Sequence, residues 1–232
     1  IAGLVKACIL EPRQILASRR SEVALAYLTD TYNIRTTRDN TALVAESDIV
    51  VLAVKPQMMA TVLEETAPFF HHGQAVISIA AGITTAFVES HVGQDIPVIR
   101  VMPNTPALVG EAMSPYCLGR HGAEAEALMA SQLFSAVGVT VLVEEAWIDA
   151  ITALSGTGPA YLFYLLEGLI EAGQAMGLPE HLSRALVRQT AFGAAKLVAE
   201  TTRSPRQLRA QVTSPQGTTD AAMRYLDEHA FQ

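Results

Sequence analysis

The alternation of strand-like and helix-like segments over residues 1–143 narrows the possible folds of this chain more than any other feature. Nearly continuous apolar runs at 48–54 and 75–79 are typical of strands covered on both faces. Further strands are predicted at 15–17, 97–102 and 139–143, and helices at 21–29, 58–68, 84–92 and 123–135. This rhythm predicts an α/β domain with a parallel, doubly wound sheet of the Rossmann-like, dinucleotide-binding type.

After about residue 145 the pattern becomes helical throughout. Helices are predicted at 148–176, 182–200, 204–211 and 219–229. They are apolar on several sides and therefore need another surface to pack against. Charged residues make up 17% of the chain, below the roughly 25% usual in soluble domains, which favours an oligomer over an Ala-rich monomer. We predict an α/β domain at 1–144 and an all-α domain at 145–232.

The N-terminal segment departs from the expected start of such a sheet. A dinucleotide-binding domain should begin with a strand that runs into a G-x-G-x-x-G turn, and the sequence contains no such motif. Residues 1–5 look instead like the helix that follows the turn. We expect the first strand and the Gly-rich turn, where a cofactor pyrophosphate would bind, to be missing from this chain. Either they belong to the natural protein, or this polypeptide binds such a cofactor poorly.

Charge and cysteine content exclude several classes of partner. The formal net charge of −7 disfavours nucleic acid, which needs a basic face. Cys8 and Cys117 are isolated, and the histidines show no ligand spacing, so neither a metal site nor a disulfide framework is predicted. The apolar run at 160–166 is too short to span a membrane, and no signal peptide is recognised. These features predict a cytoplasmic protein.

The segment 212–220, with the sequence VTSPQGTTD, carries the most specific chemistry. Pro and Gly end one helical pattern, and a new helix begins directly afterwards. Unpaired N–H groups and the positive end of the helix dipole make such a start a receptor for anions. Gly217 would let a carboxylate approach the backbone, and Thr218 or Thr219 would donate a hydrogen bond beside it. The alternative is an ordinary helix cap.

Four segments in order, spanning roughly residues 15–229, resemble the pyrroline-5-carboxylate reductase family. They are LAVKP at 52–56, RVMPNTP at 100–106, LSGTGPAY at 154–161 and the SPQGTT segment at 214–219. The resemblance implies NADPH-dependent reduction of 1-pyrroline-5-carboxylate to L-proline, the last step of proline biosynthesis. It also implies that the helical domain forms a homodimer and that dimers assemble further, with a decamer of dimers as the larger assembly.

The resemblance places the cofactor at the ends of the predicted strands. Ser18, Arg19 and Arg20 follow the strand that faces the adenosine ribose, where arginines rather than an acidic residue favour a 2′-phosphate. NADPH is therefore preferred, and NADH is expected to bind more weakly. Further cofactor contacts are expected from Asn40, Ala53, Val54, Lys55, Pro56, Ile79, Ala81, Asn104 and Gln211. Asn40 as a helix cap, Lys55 as a rim lysine and Asn104 as part of a structural turn are the alternatives.

Substrate binding is expected from the segment that starts the last helix. By resemblance, Ser214, Gly217, Thr218 and Thr219 hold the substrate, and Thr219 is the catalytic candidate that orients the ring or relays a proton from water. Glu145 matches a family position near the substrate and would balance an iminium charge; alternatively it caps the following helix. Gln216 departs from the glycine that is usual there.

Two other functions remain open at this stage. One is a related NADP-dependent imine or hydroxyacid oxidoreductase, and the other is a non-catalytic assembly subunit. A hydroxyacid dehydrogenase would need a catalytic Lys or His in the helical half. Lys196 is the only lysine after Lys55, and no polar motif accompanies it. The missing Gly-rich turn is the only feature that favours the assembly subunit.

Overall fold

The computed structural model describes residues 1–93 and 95–229 and separates into two compact units, Ile1–Tyr161 and Leu162–Gln232. The first unit has strands with helices between them, and the second is helical. The predicted order, an α/β domain followed by a helical region, is confirmed.

The first unit begins with a short parallel sheet and its helices. In chain order these elements are α1 Ala2–Lys6, β1 Leu16–Ser18, α2 Glu22–Tyr32 and β2 Arg35–Thr37. The Ser21 hydroxyl accepts a hydrogen bond from the Ala24 N–H and so caps the start of α2. At the other end of α2, Asn33 adopts a left-handed conformation with φ of 54°, which terminates the helix.

A larger sheet forms the centre of the unit. Its strands lie in the order β3 Ile49–Leu52, β4 Ala75–Ser78, β5 Val98–Val101, β6 Ala112–Leu118 and β7 Gly138–Leu142. Neighbouring strands pair in parallel except β5 and β6, which are antiparallel. All residues of β4 are buried, as predicted for a strand covered on both faces, and those of β5 are buried as well. The same prediction for β3 is wrong, because Val51 is 48% exposed on this strand, which lies at the edge of the described sheet.

Two strands were not predicted from the sequence, and each has a reason. The β2 strand has three residues and shows no apolar alternation. The β6 strand contains Ser114 and Pro115, and proline lacks the N–H that a central strand normally donates. Pro115 is nevertheless accommodated, because its carbonyl accepts the Met102 N–H at 2.9 Å.

Helices cover both faces of the larger sheet. They are α3 Asn40–Glu46, α4 Met59–Thr66, α5 Thr85–Val92 and α6 Glu124–Ser135. One buried cluster contains Met59, Leu63 and Val88 from the helices against the sheet residues Val76 and Val98. A second cluster joins Ala127 and Ala130 of α6 to the opposite face. This packing holds the sheet in place and thereby positions the residues that follow the end of each strand.

Residues 145–161 are compact with the sheet rather than with the later helices. They comprise a 3₁₀ turn at Glu145–Trp147, the helix α7 at Ile148–Ile151 and a π-helical turn at Thr152–Gly156. Ile148 is fully buried in this unit. The predicted change to a helical pattern near 145 therefore precedes the division between the compact units, and the domain boundary at 144/145 stays a prediction.

The remaining helices are α8 Gly158–Ala175, α9 Glu180–Glu200, α10 Pro205–Gln211 and α11 Thr218–Glu228. Gly173 of α8 lies against Ser183 of α9, where a Cβ on the glycine would be 2.7 Å from the serine Oγ. Close contact at this point requires glycine. Elsewhere many large apolar side chains of α8 and α9 are exposed: Leu162, Phe163, Tyr164, Leu165, Leu169, Leu186 and Phe192.

Candidate active site

The start of α11 has the geometry of an anion receptor. Its first helical hydrogen bond runs from the Ala221 N–H to the Gly217 carbonyl at 3.1 Å, and Gly217 occupies the N-cap position without a side-chain cap. The N–H groups of Thr218, Thr219 and Asp220 donate to no acceptor within the described residues. Together with the dipole of an 11-residue helix, they favour a negatively charged group.

A tight turn presents this helix start. The Ser214 carbonyl accepts the Gly217 N–H at 3.0 Å, and Gln216 between them has a φ of 61°. A positive φ at this place in a turn favours glycine, which accounts for the glycine expected there from the family resemblance. The Asp220 carboxylate compensates here by accepting the Gln216 N–H at 3.2 Å, and Arg224 holds that carboxylate at 2.7 Å.

The residues predicted to hold substrate lie at the same helix start. Ser214 and Thr218 are exposed, and Thr219 is half-buried. Gly217 lies directly against Ser214, because a Cβ at residue 217 would be 2.4 Å from the serine Oγ. Ser214, Gly217, Thr218 and Thr219 therefore lie together at the start of α11, and their role in binding substrate stays a prediction.

Glu145, in the first unit, is held by two neighbours. One carboxylate oxygen accepts the Thr85 N–H at 2.8 Å, and the other accepts the Thr85 hydroxyl proton at 2.7 Å. Thr85 is the first residue of α5, so Glu145 stabilises the positive end of that helix. Arg100 lies 3.4 Å from the first oxygen and also binds Asp149 at 2.9 Å. The Glu145 side chain thus caps α5, whereas its own 3₁₀ turn and the following helix have no side-chain cap among the described residues.

The Arg100 guanidinium is the buried charge of this cluster. Its side chain is 3% exposed, whereas those of Glu145 and Asp149 are 30% and 85% exposed. Its Nε has no hydrogen-bond partner within the described residues. A buried cation that loses its carboxylate partner typically destabilises a fold by about 3–5 kcal/mol. Sequence analysis assigned Arg100 no role beyond its motif, because its pairing with Glu145 connects residues 45 positions apart.

Cys117 lies next to this cluster, opposite Arg100 in the paired strands β5 and β6. Burial, and secondly the negative charge of Glu145, raise the pKa of the Cys117 thiol from 9.0 to about 11, against a smaller opposing effect of Arg100. The thiol therefore stays protonated at neutral pH and acts as a small apolar side chain.

The predicted 2′-phosphate site lies at the end of β1. The Ser18 hydroxyl donates to the Asn40 side-chain oxygen at 2.7 Å. Arg19 and Arg20 are exposed, and neither forms an ion pair with any residue that the structure describes. The one carboxylate close in sequence, Glu22, is paired with Arg38 at 2.7 Å. Two available guanidinium groups beside a hydroxyl fit a phosphate monoester, so this chain's residues suit an NADP-type cofactor.

The other predicted cofactor residues follow the strands β3 and β4. Ala53, Val54, Lys55 and Pro56 continue from β3, and Ile79 and Ala81 from β4. Lys55, Ala53 and Ala81 are exposed, while the Ile79 side chain is half-buried. Because β3 and β4 are parallel neighbours, these residues share one edge of the sheet, where ligands bind in open α/β folds.

Two predicted cofactor residues have partners within the protein. The Asn104 amide donates to the Ser155 carbonyl at 3.1 Å, and its oxygen accepts the Met113 N–H at 3.0 Å. This pairing fixes the loop after β5. Gln211, at the end of α10 in the second unit, accepts from Arg203 at 3.0 Å. Cofactor contacts by these two residues stay predictions.

The described ranges contain neither a metal-binding cluster nor a helix suited to a membrane. Among residues 1–93 and 95–229, no group of three or more His, Cys, Asp or Glu side chains is arranged to hold a metal ion. No helix in the same part of the chain combines the length and apolar character that crossing a bilayer requires.

Matches to family models extend over both units. Residues 145–232 match the family model for pyrroline-5-carboxylate reductase dimerisation. Residues 1–82 match the model described as NADP oxidoreductase, coenzyme F420-dependent. The helical match begins at Glu145, where the sequence rhythm changes.

Individual relatives are similar over nearly the full chain. A pyrroline-5-carboxylate reductase of Corynebacterium melassecola is 42% identical over 235 residues, covering 100% of this chain and 87% of that protein. The solved pyrroline-5-carboxylate reductase of Coxiella burnetii is 36% identical, with a TM-score of 0.90 over 99% of this chain and 86% of that one. The Plasmodium falciparum pyrroline carboxylate reductase, solved with NADP bound, is 30% identical, with a TM-score of 0.89 over 99% and 84%.

Proposed function

The chain belongs to the pyrroline-5-carboxylate reductase family, and we propose that it reduces 1-pyrroline-5-carboxylate to L-proline with NADPH. A hydride adds to the imine carbon, and a proton is delivered to the ring nitrogen. The C=N double bond thereby becomes a C–N single bond. NADPH supplies the hydride when bound, while the protein binds the carboxylate, orients the ring and controls the proton.

The observation that carries this proposal is the open start of α11. A five-membered ring bearing one carboxylate needs an anion receptor close to a hydroxyl group. The N–H groups of Thr218, Thr219 and Asp220 provide that receptor, since they have no acceptor in the described part of the chain. Ser214 lies in the turn just before it, and Thr219 is one of the residues that form it. These features support Ser214, Gly217, Thr218 and Thr219 as the substrate-binding residues.

Thr219 acts in this proposal by orienting the ring nitrogen. A threonine hydroxyl is too weak an acid to protonate an imine unaided, so it donates a hydrogen bond or relays a proton from water. Glu145 would balance the charge of a protonated imine, because both of its oxygens are fixed and its side chain is still 30% exposed. Each carboxylate oxygen keeps a lone pair for a further donor.

The cofactor preference follows from the end of β1. Arg19 and Arg20 would pair with the 2′-phosphate of NADPH, with Ser18 and Asn40 beside them, and NADH would bind more weakly. The remaining proposed contacts lie after β3 and β4, in the loop after β5 and at the end of α10: Ala53, Val54, Lys55, Pro56, Ile79, Ala81, Asn104 and Gln211.

The chain is proposed to work as a homodimer through its helical region, with a decamer as the larger assembly. Residues 145–232 match a dimerisation model, and α8 exposes Leu162, Phe163 and Tyr164 at 61%, 58% and 79%. Apolar side chains exposed in such a row favour burial against a second copy. We propose a cytoplasmic location, with no nucleic acid or membrane partner.

The hydroxyacid oxidoreductase alternative finds no support in the helical unit. Lys196 lies 3.6 Å from Glu200 on the same helix, and both side chains are more than half exposed. A catalytic lysine would be expected in a more enclosed site.

The proposal is tested by following NADPH absorbance with 1-pyrroline-5-carboxylate as substrate and identifying the product as proline. A short-chain 2-hydroxyacid with NADP⁺ serves as the comparison. Imine-dependent oxidation of NADPH that forms proline is expected. Turnover of the hydroxyacid without turnover of the imine would contradict the proposal and favour a hydroxyacid oxidoreductase.

A further inference from the structure

We infer that Glu145, held by Arg100, is a positioning residue for the cofactor: through Thr85 it fixes the loop 79–84 that links β4 to α5, called the β4–α5 loop below. This inference rests on the proposed function, which supplies NADPH as the cofactor and cofactor contacts by this loop. It concerns the first unit alone. It is separate from the charge role proposed above for Glu145, because it operates when no substrate is bound.

The β4–α5 loop is fixed at both ends. At its start, the Ile79 N–H donates to the Leu52 carbonyl at the end of β3, at 3.2 Å. Directly after its end, the N–H and the hydroxyl of Thr85 donate to the two oxygens of Glu145, at 2.8 and 2.7 Å. Ala81, in the middle of the loop, is exposed. The two ends therefore determine where the exposed middle of the loop lies.

The anchor at the end of the loop is itself held from two sides. Arg100 lies on β5 beside Ser78, the last residue of β4, and its side chain is only 3% exposed. Its guanidinium lies 3.4 Å from a Glu145 carboxylate oxygen. Glu145 begins a 3₁₀ turn that leads into the fully buried Ile148. A buried cation and a buried apolar side chain thus hold the carboxylate in place for Thr85.

The β4–α5 loop belongs to the nicotinamide side of the proposed cofactor site. A doubly wound sheet binds a dinucleotide across the crevice where the strand order reverses, with one half of the molecule on each side. The proposed function assigns the adenosine half to Ser18, Arg19 and Arg20 after β1. The nicotinamide half is then left to residues after β3 and β4, which include Ile79 and Ala81. A displaced loop would therefore weaken contacts to the nicotinamide half and leave those to the adenosine half unchanged.

The test is calorimetric binding of NADPH and of adenosine 2′,5′-bisphosphate, which contains only the adenosine half, to the full chain without substrate. Glu145→Ala removes both bonds to Thr85, and Thr85→Val removes one of them. Glu145→Gln removes the charge, but it keeps an oxygen for the Thr85 N–H and an amide that can donate to the Thr85 hydroxyl. The matched control is Thr84→Ala, which removes another cap of α5, the 3.2 Å bond from the Phe87 N–H, without touching Glu145. Circular dichroism of each variant establishes that it is folded.

Glu145→Ala is expected to weaken NADPH binding about tenfold, and Thr85→Val about threefold, while adenosine 2′,5′-bisphosphate stays within about twofold in both. Glu145→Gln and Thr84→Ala should bind both ligands within about twofold of the wild type. Equal weakening of the two ligands by Glu145→Ala, or unchanged NADPH binding, would overturn the positioning role. So would a Glu145→Gln variant that binds NADPH as weakly as Glu145→Ala. If Glu145→Ala does not fold, Thr85→Val decides the outcome.

The same measurements separate this inference from the proposed function. A wild-type chain that binds NADPH but turns over no imine would overturn the proposed reaction, and the variants would still decide the positioning role. A wild-type chain that binds neither ligand would overturn the cofactor assignment and this inference together.

Discussion

Gly217 and Ser214 lie so close together that a Cβ on the glycine would be 2.4 Å from the serine Oγ. The same serine is proposed to bind substrate, so the glycine determines where its hydroxyl group points. Gly217 has a φ of −81°, which other residues also adopt. A larger residue at position 217 would therefore act by displacing the Ser214 hydroxyl group rather than by straining the backbone.

Gly217→Ala is expected to displace the Ser214 hydroxyl and to lower kcat/KM at least about tenfold. The free energy of unfolding should fall by only about 1 kcal/mol, the usual cost of alanine at an N-cap. Steady-state kinetics and urea unfolding measure the two effects. A Gly217→Ala variant that keeps its activity would show that catalysis does not depend on the position of the Ser214 hydroxyl group. Ser214→Ala, which removes that hydroxyl group, is the companion variant.

Thr219→Ala should lower kcat by about a hundredfold, because the ring loses the hydroxyl that orients it or relays its proton. The dissociation constant of NADPH should stay unchanged, since the hydroxyl contacts the substrate. Thr219→Ser keeps the hydroxyl and should restore much of the rate. Wild-type kcat in the alanine variant would remove Thr219 from the proposed chemistry.

Arg19→Asp combined with Arg20→Ala should weaken NADPH binding by about a hundredfold, because two charge-assisted hydrogen bonds to the 2′-phosphate are lost. NADH lacks that phosphate, and its affinity should change much less. Arg206→Asp combined with Arg209→Ala, two exposed substitutions on α10, changes the net charge by the same amount and serves as the control. Fluorescence titration with both cofactors gives the comparison, and an unchanged preference would contradict the assignment.

Cys117 should be inert toward thiol reagents in the native protein below about pH 9, because burial and Glu145 keep it protonated. Cys8 is exposed and should react at once, so one thiol is titrated before denaturation and two afterwards. Mass spectrometry of the labelled chain identifies the residue, and native labelling of Cys117 would contradict its burial.

The raised pKa of Cys117 also predicts that the free energy of unfolding decreases at alkaline pH. The folded state holds the thiol proton more tightly than the unfolded state does. The resulting contribution to the free energy of unfolding is complete below pH 9.0 and is lost as the pH rises toward about 11. Urea unfolding across this range measures the loss. Cys117→Ala should show a smaller alkaline decrease than the wild type, and an identical decrease would refute the linkage.

Local patterns in the sequence predicted most of the fold. The apolar runs predicted the strands β3, β4 and β5, and the helical periodicity after 145 predicted the later helices. β4 and β5 are buried on both faces of the sheet, which accounts for their continuous apolar sequence. The β6 strand was missed because Pro115 interrupts the expected pattern. Its antiparallel pairing with β5 depends on contacts between distant residues.

The candidate site was predictable only where it is local in sequence. The α11 receptor lies within residues 214–220, so turn and helix-start signals identified it. The cluster of Thr85, Arg100 and Glu145 joins three separate segments, and only the folded sheet brings them together. At position 216 the family resemblance led us to expect glycine, and only the structure gives the physical reason, which is the positive φ of Gln216.

The most direct test of the central claim uses NADPH that carries deuterium at its hydride-donating position. Incubation of this chain with 1-pyrroline-5-carboxylate should consume the cofactor and form proline with one deuterium on the former imine carbon. This is the ring carbon next to nitrogen that does not bear the carboxylate. Mass spectrometry and NMR of the product locate the label. Proline without deuterium, or no consumption of the cofactor by the folded protein, would contradict hydride transfer to the imine.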